Sequence, residues 1–379
     1  MKSLLIHVSK DALSMALQAI LPAISANSSL RVLSGIYIRA GAEGLTLVAS
    51  NVSMTIEYKI LVKTDSMVVQ NTGEIVVPAR YFYEIIRKIE PGLIRLEITE
   101  GFTLHIQKGN TRFRLCGMDA TEYPRIQYID HTVTQRISIN STLLKRTIKQ
   151  VAFAVSLSEA RPVLTGVSLH MDKDGMRVIA TDGIRLSQYR INLNNHVADC
   201  FNVVIPGRTL EYLSKLLRDG EGENTEIVIE QKQIQFISAN WRVQAALLEG
   251  TYPSIDHLIP QTFLSEVIIR TDDLLHAIER IAILAGDCVT LSLLPSHMLC
   301  LSSKTTDIGD VKEELSLEQL EGEHYRISFN SKYFRDILRV VDSESLRIRY
   351  AGKERPLVIE PLDMSSTTLF LITPMRTQE

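Results

Sequence analysis

The stretch Asp11 to Ile24, DALSMALQAILPAI, decides the fold because it returns twice further along the chain. Its apolar residues Leu13, Leu17, Ile20 and Ile24 stand at offsets 0, 4, 7 and 11, the spacing that lays one stripe along an α-helix. The same offsets hold Leu144, Ile148, Val151 and Val155, then Leu274, Ile278, Ile281 and Ala285, at steps of 131 and 130 residues. Each copy follows residues whose side-chain oxygens can cap free helix amides: Ser9 to Asp11, Asn140 to Thr142, and Thr271 to Asp273. A repeat of this length implies three equivalent units.

A second pattern follows each first one. Val77-Pro78-Ala79-Arg80 leads into Phe82, Ile85, Ile86 and Ile89; Ile205-Pro206-Gly207-Arg208 into Leu210, Leu213 and Leu217; Phe329-Asn330-Ser331-Lys332 into Phe334, Ile337, Leu338 and Val341. Each reads as a strand ending where a second helix starts. Short alternating runs such as Gly35 to Ala40, Leu45 to Ser50, Val167 to Met171 and Met176 to Ala180 read as antiparallel strands. Tyr123-Pro124 and Tyr252-Pro253 punctuate the first two copies. The expectation is an α+β chain of three domains, 1–128, 129–257 and 258–379, each with two helices and about eight short strands.

Composition narrows the function. The chain has 379 residues, 45% hydrophobic and 22% charged, and no apolar run nears the ~20 residues that span a membrane. The apolar stretch Ser3 to Val8 is shorter than a signal-peptide core, so a cytoplasmic location is expected. Cys116, Cys200, Cys288 and Cys300 are scattered without metal-like spacing and read as reduced, mostly buried thiols. No phosphate-loop, dinucleotide, zinc-protease or serine-elbow motif is present, and the nine histidines are dispersed. An enzyme would have to build its site from Asp182, Arg185 and a histidine such as His257, with no independent support, so neither a metal nor a cofactor is expected.

The net charge of −3 hides an asymmetry: the six expected helices carry +6 and everything else −9. Lys145 and Lys149 are four residues apart, as are Arg335 and Arg339, while Lys215 and Arg218 are three apart, so each pair shares a helix face. A charged outer helix face is commonly just solvated. If the repeats instead close into a ring with helices inside, the basic faces meet DNA phosphates without reading bases. The candidate DNA-binding cations are Arg80, Arg87, Lys145, Arg146, Lys149, Arg161, Arg208, Lys215, Arg218, Lys332, Arg335 and Arg339.

Over essentially its whole length the chain resembles the beta subunit of bacterial DNA polymerase III, the sliding clamp family. The marks are Ala180-Thr181-Asp182-Gly183-Ile184-Arg185-Leu186, Glu249-Gly250-Thr251-Tyr252-Pro253 and Pro374-Met375-Arg376, together with the triple repeat. The resemblance implies a head-to-tail homodimeric ring around double-stranded DNA that gives a replicative polymerase its processivity and performs no chemistry. It implies as partners the DNA polymerase III alpha subunit, a clamp loader, and other replication and repair proteins that carry a clamp-binding motif. Matching the motifs residue by residue suggests a partner-peptide groove of Leu164, Thr181, Gly183, Arg185, Leu186, Pro253, Leu258, Pro356, Leu371, Pro374, Met375 and Arg376, with the two arginines holding polar peptide groups at the rim. Read without the resemblance, Thr181 to Gly183 is a hairpin turn, with Leu164 and Leu186 as core. By position, Phe113 and Leu115 match one side of the family's dimer contact and Ile283 and Leu284 the other; alternation alone equally allows the first pair to be core. Two departures stand out: Arg31 where the family usually has proline, and Asn27 where it has a DNA-contacting arginine. The alternative is a clamp-like paralogue acting as a scaffold or regulator without normal DNA loading.

Overall fold

The structure is a computed structural model that describes residues 4–25, 30–51, 53–62, 66–99, 101–124, 135–173, 175–192, 200–218, 220, 223–284, 288–305, 309–362 and 367–375. Ala285, Asn27 and Arg376 lie outside the described residues. Helices form at the six expected places: α1 (Lys10–Ile20), α2 (Ala79–Lys88), α3 (Ser141–Val151), α4 (Gly207–Leu216), α5 (Thr271–Ile281) and α6 (Ser331–Leu338). The repeated stripe is the buried one. Leu13, Leu17 and Ile20 on α1 and Leu274, Ile278 and Ile281 on α5 are fully enclosed, and Leu144, Ile148 and Val151 on α3 nearly so.

Capping differs from the expectation. Asn140 accepts hydrogen bonds from the amides of Thr142 and Leu143, and Asn330 does the same for Lys332 and Tyr333. Ser9 makes no side-chain cap, and the Thr271 hydroxyl donates instead to the Ser343 carbonyl. Both helices nonetheless start there, because a continuous buried face outweighs a cap of about 1 kcal/mol. The first copy also forms its 3-10 turn, Arg31–Ser34, without the proline that opens the matching turn Pro162–Thr165. Of the four cysteines only Cys300 is buried; Cys288 is half-buried, and Cys116 and Cys200 are exposed, contrary to the expectation of mostly buried thiols.

The strands build four antiparallel sheets of five, eight, nine and four strands among the described residues. Two of these sheets run straight across the expected repeat boundaries. Met54–Leu61 of the first copy pairs with Trp241–Ala246 of the second, and Arg185–Ile191 of the second pairs with Thr367–Ile372 of the third, Leu186 opposite Leu371. Backbone hydrogen bonding thus continues where the sequence repeat changes over. By contact density the chain accordingly packs as two compact units, Met1–Leu144 with Tyr212–Leu247, and Lys145–Glu211 with Leu248–Glu379. The second unit holds a large core around Leu274, Phe329, Phe334 and Phe370, and a smaller cluster of Leu164, Ile179, Leu186, Val204, Tyr252, Ile255, Val358 and Leu371. That smaller cluster lies under the site.

Candidate functional site

The Thr181–Arg185 segment is a turn tied down from every side. The Thr181 hydroxyl donates to the Arg185 carbonyl at 2.7 Å and accepts from the Gly183 amide at 3.0 Å. Asp182 Oδ1 accepts from the amides of Ile184 and Arg185, each at 2.9 Å. The Thr181 amide in turn donates to the Tyr252 hydroxyl at 3.0 Å, and burial pushes that phenol well above its ordinary range. Gly183 has φ +94°, a conformation that side chains bearing a Cβ rarely adopt. The hairpin is present as a local turn, and its outer side walls a cavity.

That cavity, about 200 Å³, is lined by nine of the expected groove residues: Leu164, Thr181, Gly183, Arg185, Leu186, Pro253, Leu258, Pro356 and Leu371. Leu164, Leu186 and Leu371 are buried members of the cluster beneath, so the floor is the exposed top of a core. Pro253 and Leu258 stand exposed at its edge. Pro374 and Met375 do not line this cavity, although Met375 is exposed and its amide donates to the Ser328 carbonyl. The sequence reading left out Ile184, Ser254, Ile255, His257 and Thr373. Ile184 carried a usable signal, a large aliphatic at a turn tip, and it is 45% exposed. Arg161, a candidate DNA-binding cation by sequence, also lines this cavity; it precedes the turn Pro162–Thr165 and sits on no helix.

Arg185 lines the cavity and is also held from within the fold. It is only 8% exposed, and its guanidinium donates to Asp182 Oδ2 at 3.1 Å, to Asp336 Oδ2 on α6 at 2.7 Å and to the Phe153 carbonyl at 2.9 Å. It also lies over the Tyr333 ring, 4.5 Å from the centroid. It braces the turn that forms the wall.

Most helix cations face solvent. Arg80, Arg87, Lys149, Arg208, Lys215, Arg218, Lys332 and Arg339 are exposed, while Lys145, Arg146 and Arg335 are half-buried. Several are already partnered: Arg87 with Glu84 at 2.7 Å, Arg146 with Asp342 at 3.1 Å, and Arg339 with Glu279 of α5 at 2.6 Å. The Arg339 guanidinium holds the Glu279 carboxyl below its ordinary range. The acidic α5 therefore offsets α6, and the basic character expected of α6 is weaker than its charge count. Exposed pairs of this kind add little to stability and compete weakly with a phosphate.

The four apolar candidates for a dimer contact are accessible. Phe113 is 36% and Ile283 79% exposed, and Leu115 and Leu284 are half-buried. Phe113 and Leu115 lie on Thr111–Cys116, the edge strand of the five-stranded sheet. Ile283 and Leu284 follow α5 in a backbone turn, their amides donating to the carbonyls of Arg280 and Ile281. Alternation along the edge strand does not bury Phe113, so the core alternative fails for it.

Repeated α+β units on continuous sheets, with cationic helices and a walled groove, define the DNA-clamp fold. Sequence families described as DNA polymerase III beta subunit, N-terminal, central and C-terminal domain, match residues 4–127, 138–254 and 256–376. The chain belongs to this family of bacterial sliding clamps. It is 36% identical to the beta sliding clamp of Bacillus subtilis over 98% of this chain and 99% of that protein, and 34% identical to that of Staphylococcus aureus over 98% of each. The crystal structure of the DNA polymerase sliding clamp from Bacillus subtilis superposes with a TM-score of 0.92 at 35% identity, covering 99% of this chain and all of that one. These full-length matches leave the scaffold alternative with no observation in its favour.

Proposed function

We propose that two copies of this chain close head to tail into a ring around duplex DNA and, without catalysing a reaction, tether the replicative polymerase to it. The observation that carries the reading is the exposed apolar edge. An open sheet edge bearing a half-exposed Phe113 and an isolated, 79% exposed Ile283 are liabilities in a monomer and assets in a closed assembly. The last domain has its own open edge strand, Gly309–Ser316, whose exposed Asp310, Glu314 and Lys312, the last two paired at 2.7 Å, leave it net acidic against the exposed Arg112 and Arg114 of Thr111–Cys116. Phe113 and Leu115 of one copy then meet Ile283 and Leu284 of the other.

In such a ring the three domains, 1–128, 129–257 and 258–379, present their helices to the DNA. Arg80, Arg87, Lys145, Arg146, Lys149, Arg208, Lys215, Arg218, Lys332, Arg335 and Arg339 then act as weak, salt-sensitive, sequence-independent phosphate contacts. The groove takes short peptide motifs from the DNA polymerase III alpha subunit, a clamp loader and other replication and repair proteins. Leu164, Leu186, Pro253, Leu258, Pro356 and Leu371 supply its apolar surface. The site of action is the cytoplasm, and no described helix is long and apolar enough to cross a membrane.

Retention on DNA tests the reading. Free in solution the protein should have twice the chain mass of 42.6 kDa, and once loaded onto nicked circular DNA it should co-elute with the circle and be lost when the circle is cut. A monomer at micromolar concentration, or equal retention on linear and circular DNA, would contradict it.

A further inference from the structure

We propose a nucleotide site in the first unit, away from the groove: a cavity of about 360 Å³ that takes the base of an unpaired nucleotide, with the nucleotide's phosphate held by Arg218 and Lys215. The volume falls within the ~300–1,000 Å³ usual for small-ligand sites. Its walls come from α1, α4 and the strands Met54–Leu61 and Trp241–Ala246, which pair with Trp241 opposite Tyr58. Tyr58, Tyr212 and Trp241 therefore converge on one cavity in which Lys215 and Arg218 are the cations.

The hydrogen bonding there is unbalanced. Arg218 and the Tyr58 hydroxyl both donate to Met15 Sδ, and a thioether is a poor acceptor for either. Lys215 rests against the Tyr212 ring, 5.4 Å from its centroid, and no ion pair holds it among the described residues. Phosphate oxygens satisfy the Arg218 and Lys215 donors far better than sulfur and a ring face do. Aromatic side chains beside such cations are the combination that holds single-stranded nucleic acid with little sequence preference. The amides of Gln18 and Asn240 and the carboxylate of Glu223 line the same cavity and match the mixed donors and acceptors of a base edge. The base adds contacts with the cavity walls that inorganic phosphate lacks, so nucleotide should bind more tightly than phosphate alone.

Trp241 is the chain's only tryptophan, and its emission reports on this cavity directly. The full-length protein is titrated with thymidine monophosphate, a short single-stranded oligothymidylate and inorganic phosphate at low salt. Both nucleotide probes should change Trp241 emission saturably, and phosphate should need about tenfold higher concentration. Arg218→Ala and Lys215→Ala should each weaken binding about tenfold, and Arg218→Lys should restore part of it. Both side chains are exposed, so circular dichroism should show unchanged folding. Emission unchanged up to about 10 mM nucleotide, or binding undiminished in Arg218→Glu, overturns the proposal. Retention on circular duplex is measured in parallel; because this site does not depend on ring closure, failure there with nucleotide binding intact counts only against the ring.

Discussion

Replacing Arg185 with Met removes a guanidinium and keeps its aliphatic stem, which asks whether that group supports the groove or serves as its ligand. The guanidinium makes three directed contacts within 3.1 Å, to Asp182, Asp336 and the Phe153 carbonyl. Removing one partner of a buried ion pair costs about 3–5 kcal/mol, because the other charge is left behind. The Asp336 side chain keeps 25% of its surface in solvent, so water recovers part of this and about 2–3 kcal/mol should be lost. For a folding unit as large as residues 145–211 with 248–379, each kcal/mol moves the transition by about 2–4 °C, giving a drop of about 4–12 °C. Scanning calorimetry measures this, with Asp336→Asn as companion: it touches no groove surface yet should lose about 1–2 kcal/mol by weakening the same brace. Peptide affinity should fall in both variants, since the wall loses its support. An unchanged transition in Arg185→Met, paired with a loss of affinity for a clamp-binding peptide, would show that the guanidinium is a ligand after all and refute the argument.

Other expectations follow from the same geometry. Ile283→Ala should leave monomer stability within about 0.5 kcal/mol and remove about 1–2 kcal/mol from each of two equivalent contacts, weakening the dimer roughly 30- to 700-fold by sedimentation equilibrium; a change under about threefold would place the interface elsewhere. Lys145→Ala with Lys149→Ala removes two cations per copy, and at about 0.9 per phosphate the slope of log affinity against log salt should shrink by up to ~3.6. An unchanged slope on duplex DNA would mean that α3 does not face phosphate. Tyr252 is buried with its phenol pKa raised, so the folded state holds its proton longer than the unfolded chain does. Stability is thus fully present below the unfolded value of about 10 and falls as pH climbs past it toward the folded value. Tyr252→Phe should flatten that alkaline loss in denaturation curves, and an identical alkaline limb would rule Tyr252 out as its source.

The amphipathic period of α1, α3 and α5, the second helix of each copy and the strand content were all legible in the sequence. They depend on spacing along the chain, and each buried face is written in neighbouring residues such as Leu274, Ile278 and Ile281. The Thr181–Arg185 turn was legible too, since it closes on itself through contacts no more than four residues apart. Tertiary structure decided what depends on distant residues. Arg185 became a brace because Asp336, 151 positions away, arrives on α6, and no local pattern announces that partner. Arg161 lines the cavity because the loop ahead of the turn Pro162–Thr165 places it there. The eight- and nine-stranded sheets cross the repeat boundaries because edge strands of successive copies find unpaired backbone in each other. Phe113 and Leu115 show the division most simply: their alternation is a property of the strand, but whether that face meets core or solvent depends on which strands and helices the rest of the chain brings to it.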